Sequence, residues 1–81
     1  MITMYSKKDC NFCTKAKLFL QKHSIEFKEY LMGTDITREE IIEQFPQMKT
    51  MPIILLDGRV IGGYTQMVEH FGGEYKRVEQ D

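Results

Sequence analysis

Ile2-Thr3-Met4-Tyr5-Ser6-Lys7-Lys8-Asp9-Cys10-Asn11-Phe12-Cys13 is the stretch from which the rest of this chain is read. Its first five residues form a short, β-leaning run, and Lys7-Lys8-Asp9 breaks it off. Beyond the break, Phe12, Ala16, Phe19, Leu20 and His23 recur at the spacing of one helix face, with Lys15, Lys17, Gln21 and Lys22 opposite. The pattern predicts a strand, a loop and an amphipathic helix, with Cys10 at the helix start.

Outward from there, Ile25 to Met32 alternates, Ile25, Phe27 and Glu29 on one side and Glu26, Lys28 and Tyr30 on the other, which predicts a strand. Thr37-Arg38-Glu39-Glu40 has the form of a capping box, with Ile36 and Ile41 placed as a hydrophobic staple. Ile41, Ile42 and Phe45 are expected to supply that helix's buried face, and Pro46 to stop it. Asp57-Gly58 between two apolar runs predicts a hairpin, and the near-continuous Ile53 to Leu56 a strand covered on both faces. Gly62-Gly63 breaks the hairpin's second strand. Thr65 is expected to cap a last helix with Met67, Val68 and Phe71 inward and Gly72-Gly73 at its end. The order β-α-β-α-β-β-α predicts an α/β domain with a four-stranded mixed sheet. The domain is expected over residues 1–73, with 74–81 a charged tail that frays.

The whole chain has 81 residues, 42% apolar and 28% charged, which is ordinary composition for one small globular domain. A net charge of −1 gives no basic field for a nucleic-acid backbone. No apolar run approaches the roughly 20 residues of a membrane span, and the first residues lack the pattern of a signal peptide. A cytoplasmic protein with neither nucleic acid nor membrane as partner is expected.

The two cysteines, Cys10 and Cys13, stand at C-x-x-C spacing. A disulfide closing so short a loop adds little chain-entropy stabilisation, so their role is chemical. Residues three apart on a helix are about 5–6 Å apart, a separation that a disulfide can bridge. The unpaired N–H groups and positive dipole end of a helix start favour thiolate, as do the nearby Lys7 and Lys8. Thiolate is the nucleophile, so Cys10 is expected to attack and Cys13, one turn further in, to resolve. A metal site needs two more ligands, for which the chain offers His23, His70 and carboxylates; both histidines read more simply as packed or surface residues. A zinc ion bridged between two chains stays formally open, but no metal is expected.

With the cysteines in place, residues 2–71 resemble a glutaredoxin of the thioredoxin superfamily. Tyr5-Ser6-Lys7 with Cys10-Asn11-Phe12-Cys13, then Thr50-Met51-Pro52, then Ile61-Gly62-Gly63-Tyr64 look like the family's three motifs in order. Read singly, Lys7 is a solvated loop lysine, Met51 core filler, Pro52 a strand start and Gly62-Gly63 a turn. Those readings do not explain the set. Thr-Met-Pro and Gly-Gly-aromatic-x-Gln look most like the small dithiol glutaredoxins of tailed bacteriophages.

The resemblance implies a thioredoxin-like fold and a groove for glutathione, the reducing co-substrate, with no bound cofactor. Lys7 would attract its glycine carboxylate, and Phe12, where the family usually has tyrosine, would wall the sulfur. Met51, beside Thr50, would pair its backbone with the ligand's cysteine, and Pro52, cis in the family, would hold that backbone next to Cys10. Gly63, Tyr64 and Thr65 would approach the γ-glutamyl end, and Arg38 or Lys49 would assist with charge. Two positions depart from the family pattern. Asn11 replaces a frequent proline, and Thr65-Gln66 replaces acidic residues that take the glutathione amine, a neutral pair without charge-assisted strength.

The activity implied is that of a monomeric glutathione-disulfide oxidoreductase, an electron-transport protein with a redox-active disulfide. It would reduce protein disulfides and glutathionylated thiols, ribonucleotide reductase being the protein substrate that the resemblance points to. Two alternatives are carried: an electron donor reduced by thioredoxin reductase, and a module holding an iron–sulfur cluster between two chains.

Overall fold

The computed structural model describes residues 1–71. Its elements follow the expected order: β1 (Ile2–Ser6), α1 (Asn11–Lys22), β2 (Phe27–Leu31), α2 (Arg38–Gln44), β3 (Ile53–Leu56) and β4 (Arg59–Gly62), then α3 over residues 64–71. The strands form one mixed sheet in the order β2-β1-β3-β4. β1 runs parallel to β2, with Ile2 opposite Phe27 and Met4 opposite Glu29. β3 is antiparallel to both β1 and β4. The first crossover is therefore a βαβ unit, and the hairpin completes the sheet.

Strand alternation divides the core into two layers. Ile2, Met4 and Ile54 meet Ala16, Phe19 and Leu20 of α1 and Met67 of α3 on one face. Ile53 and Leu55 meet Ile41 of α2 on the other, joined by Tyr5, Phe45, Met48 and Met51. β3 is thus apolar in succession because its neighbouring side chains enter different layers. Met4, Leu20, Ile54 and Met67 are fully buried, each such side chain favouring the fold by about 1.5–3 kcal/mol before entropy is counted.

The hairpin turns at Asp57 and Gly58, both with positive φ (50° and 85°), as a two-residue turn between twisted strands requires. Ile61 is the extra residue of a bulge, since Ile54 pairs with Gly62 and Leu55 with Val60.

Four local expectations are corrected. β2 is shorter than Ile25 to Met32, Ile25 packing on the core just ahead of it and Met32 forming a lone bridge to Ile36. Ile42 is 49% exposed, because seven residues of α2 turn only Ile41 and, at the C-cap, Phe45 onto the sheet. Phe12 leaves the apolar face of α1 at 54% exposure, its ring turned to Tyr64 and Lys15 at the cleft while Cys13, the next residue, enters the core. Gly63, not Thr65, caps α3: its carbonyl accepts the Met67 N–H at 3.0 Å, and Thr65 lies inside the first turn. Met67, Val68 and Phe71 do pack inward. The Gly72-Gly73 helix end and the 74–81 tail lie outside the described residues. Among those described, no helix is long and apolar enough to cross a membrane.

Candidate active site

The site forms where β1 hands the chain to α1. After Ser6 the loop turns at Asp9 (φ 56°), and Cys10 becomes the N-cap of α1 with extended backbone angles (φ −119°, ψ 108°). Its carbonyl accepts the Thr14 N–H at 3.1 Å, and its Sγ accepts the Cys13 N–H at 3.2 Å. The sulfur occupies the position of a capping oxygen. No acidic residue stands in the first turn of α1 to oppose charge there.

Both cysteines are free thiols, but their surroundings differ. Cys10 is half-buried and Cys13 only 4% exposed. Burial, reinforced by its hydrogen bond with Cys10, pushes the Cys13 thiol up to about 12. A backbone hydrogen bond from Lys7 and the charge of that residue pull the other way and do not prevail. Cys13 therefore stays protonated at neutral pH, leaving Cys10 as the accessible sulfur.

Cys10 Sγ faces the loop before β3, its thiol donating to the Met51 carbonyl at 3.7 Å, and the Met51–Pro52 peptide is cis. Beside this junction lies a cleft of about 550 Å³ lined by Phe12, Thr50, Met51, Pro52 and residues 62–66, among others. C-x-x-C at a helix start, facing the backbone before a cis proline beside a cleft, is an arrangement suited to thiol–disulfide exchange. The Glutaredoxin family model matches residues 2–61. This chain belongs to the glutaredoxin family.

Its relatives include Glutaredoxin 3 of Escherichia coli, 33% identical over 63 residues that cover 76% of this chain and 75% of that one. A glutaredoxin-like 8.6 kDa protein of a rubredoxin operon in Clostridium pasteurianum is 29% identical over 82% of this chain and 88% of its own. The crystal structure of a wheat glutaredoxin superposes with a TM-score of 0.74 at 24% identity, covering 91% of this chain and 75% of that one. The structural likeness carries the thioredoxin-like fold, and family membership carries thiol–disulfide oxidoreductase chemistry.

Within this glutaredoxin, the structure brings eight of the nine non-cysteine site residues read from sequence onto one cleft. Phe12 leans toward Tyr64, ring centroids 5.9 Å apart, and Lys15 Nζ stands 5.3 Å over the Phe12 ring. Lys7 is the residue set apart. It lines an adjoining groove of about 370 Å³ with Arg38, and Met48, Lys49, Thr50 and Met51 line both spaces as the shared wall. Gln66 is in the cleft with its side-chain oxygen engaged, accepting the Gly63 N–H at 2.9 Å. The sequence reading omitted Gln47 and Met48, which line the cleft from the loop after Pro46, where no periodicity signals placement. It also gave no role to Ser6, Lys17 and Glu29, which line a second cavity together with the cysteines. Glu29 did carry a signal: alternation puts it on the core-facing side of β2 with Ile25 and Phe27.

Proposed function

We propose that this protein is a dithiol glutaredoxin of the small type found in tailed bacteriophages, working in the cytoplasm as a monomer and reduced by glutathione. It reduces protein disulfides and glutathionylated thiols, with ribonucleotide reductase as a protein substrate. The observation that carries this reading is the half-buried Cys10 sulfur at the Met51 carbonyl, where the large cleft begins.

In the reaction proposed, Cys10 thiolate attacks a substrate disulfide and forms a mixed disulfide. Cys13 displaces the reduced product and closes the Cys10–Cys13 disulfide, which glutathione reopens. Glutathione would lie across the wall formed by Thr50 and Met51, pairing with the Met51 backbone. Its γ-glutamyl end would reach Gly63, Tyr64 and Thr65, and its glycine carboxylate would reach the groove of Lys7 and Arg38. Glutaredoxins use glutathione as reductant, which supports this assignment.

A second reading, reduction by thioredoxin reductase, has its own support. Among the described residues no acidic side chain lines the cleft to take the glutathione amine, and the Gln66 oxygen is already engaged. The deciding experiment reduces the oxidised protein with glutathione, glutathione reductase and NADPH in one arm, and with thioredoxin reductase and NADPH in the other, followed by mass. Rapid reduction only in the first arm is expected. Reduction only in the second would leave the thiol chemistry standing and make the glutathione contacts wrong.

A further inference from the structure

Beside the two cysteines lies a second, polar cavity of about 370 Å³, open to solvent at residues 7–9, Asn11 and Thr14 and lined further in by Ser6, Cys13, Lys17 and Glu29. Three of these residues form a chain of contacts. Ser6, 1% exposed, donates its hydroxyl hydrogen to one Glu29 carboxylate oxygen at 2.6 Å. The other Glu29 oxygen is 3.0 Å from Lys17 Nζ. Such partly buried pairs contribute little net stability, since desolvation offsets attraction. The two contacts do fix the carboxylate while leaving lone pairs open toward the cavity.

The dithiol reaction contains a step that needs a proton acceptor here. Cys13, its thiol raised by burial, must lose its proton before it can attack the mixed disulfide on Cys10. The titratable groups around the cavity, besides Cys13, are Lys7, Lys8 and Asp9 from the loop after β1, Cys10 at the N-cap of α1, Lys17 within α1 and Glu29 from β2. Of the two carboxylates Asp9 is exposed on its loop, whereas Glu29 is half-buried and fixed by two contacts, which points to Glu29 as the acceptor. A polar cavity of this size also has room for a bridging water.

We propose that Glu29 accepts the Cys13 proton, directly or through water in this cavity, as Cys13 attacks the mixed disulfide. The Cys13 S–H bond breaks and its proton passes to the Glu29 carboxylate. The Cys13–Cys10 S–S bond forms, the bond from Cys10 to the substrate sulfur breaks, and the electron pair leaves with the substrate thiolate. The proton then passes from Glu29 to solvent. The proposal rests on the dithiol exchange and is independent of glutathione as reductant.

The test is a stopped-flow reaction of the reduced protein with 5,5′-dithiobis(2-nitrobenzoate). Attack by Cys10 releases one thionitrobenzoate in a phase that depends on reagent concentration; attack by Cys13 releases the second in a phase that does not. In Glu29→Gln the second phase is expected to slow by about a hundredfold relative to the first, at the low end of general-base effects. Its rate should also become proportional to hydroxide between pH 6 and 9, where the native rate rises less steeply. Glu29→Asp should restore part of the native profile. Ser6→Ala, which leaves the carboxylate held by Lys17 alone, should move the second phase in the same direction by less, and it carries the test if Glu29→Gln does not fold. Equal slowing of both phases, or an unaltered pH slope in the folded variants, overturns the proposal. So does the lack of a second phase in the native protein.

Discussion

Two helices of this molecule begin in the same way with different atoms. At α2, Thr37 Oγ1 accepts the Glu40 N–H at 3.0 Å, and Glu40 Oε1 accepts the Thr37 N–H at 2.9 Å. That is a closed capping box on the surface, with both partners spent on each other. At α1, Cys10 Sγ accepts the Cys13 N–H, and no carboxylate in the first turn reaches back. The oxygen cap fastens a helix; the sulfur cap keeps an electron-rich atom half-exposed at a cleft. One capping geometry thus serves stability at one helix start and chemistry at another, both beyond the same end of the parallel pair β1 and β2.

The largest effect comes from exchanging one kind of cap for the other. Cys10→Ser should abolish thiol–disulfide exchange altogether, since an alcohol cannot form the mixed disulfide. The same variant should melt at or slightly above the native temperature, because serine is among the preferred N-caps. Activity and thermal melts on the same sample check it. A marked loss of stability would mean that the sulfur matters to the fold in a way the comparison misses.

Next in size is the contrast between the two sulfurs. In the reduced protein near pH 7.5, iodoacetamide should label Cys10 first, with Cys13 about a thousandfold slower than an ordinary thiol, as a shift from 9.0 to about 12 implies. The Cys13 rate should climb about tenfold per pH unit up to pH 10 without levelling off. Burial holds the neutral form, so the stability it reflects is present below pH 9 and is lost as pH rises toward 12. Equal labelling of both thiols near neutrality would erase the distinction. Functionally, Cys13→Ser should keep glutathione-linked deglutathionylation and lose protein-disulfide reduction; the reverse would place the nucleophile at Cys13.

The oxygen cap gives a smaller effect of the opposite kind. Thr37→Ala should leave exchange activity intact and cost about 1 kcal/mol, a fall in Tm of roughly 4–8 °C for a domain of this size. Its hydrogen bonds with Thr37 hold the Glu40 carboxyl below the usual carboxylate range. That contribution is present above the ordinary Glu pKa and fades as pH falls through the lowered one, so native and Thr37→Ala melts should converge in acid. A constant gap down to pH 3 would detach Glu40 from the cap.

What was legible in the sequence follows the range of the interactions. The capping box, the Asp57-Gly58 turn and Cys10 at a helix start are set by neighbours within four residues, and all stand where the pattern puts them. β3 was legible because four apolar residues in succession have few other homes. Ile42 and Phe12 were misplaced because periodicity names a face without saying how far the sheet extends to cover it. The split between the Lys7 groove and the main cleft depends on where the Thr50–Met51 backbone crosses the surface, which residue spacing does not encode. The Ser6–Glu29–Lys17 chain joins β1, β2 and α1 and exists only once the parallel register is formed.

The third helix start gives the smallest effect and lies between the two extremes. At α3 the cap is Gly63, which has no side chain, and Gln66 supplies the return half of a capping box through its side-chain oxygen. Gly62 makes room for this: at φ +128° it carries no Cβ, and one placed there would lie 2.6 Å from Gln66 Cγ. The same Gln66 oxygen is the atom that the ligand's amine would need, so capping and binding compete for it. With the cap in place, Gln66→Ala should lower Tm by a few degrees, corresponding to about 0.5 kcal/mol, and raise the KM for glutathione by no more than about twofold. A tenfold rise in KM would show that Gln66 leaves Gly63 to hold the ligand. The start of α3 would then belong with that of α1, a cap given over to chemistry, and no longer with that of α2.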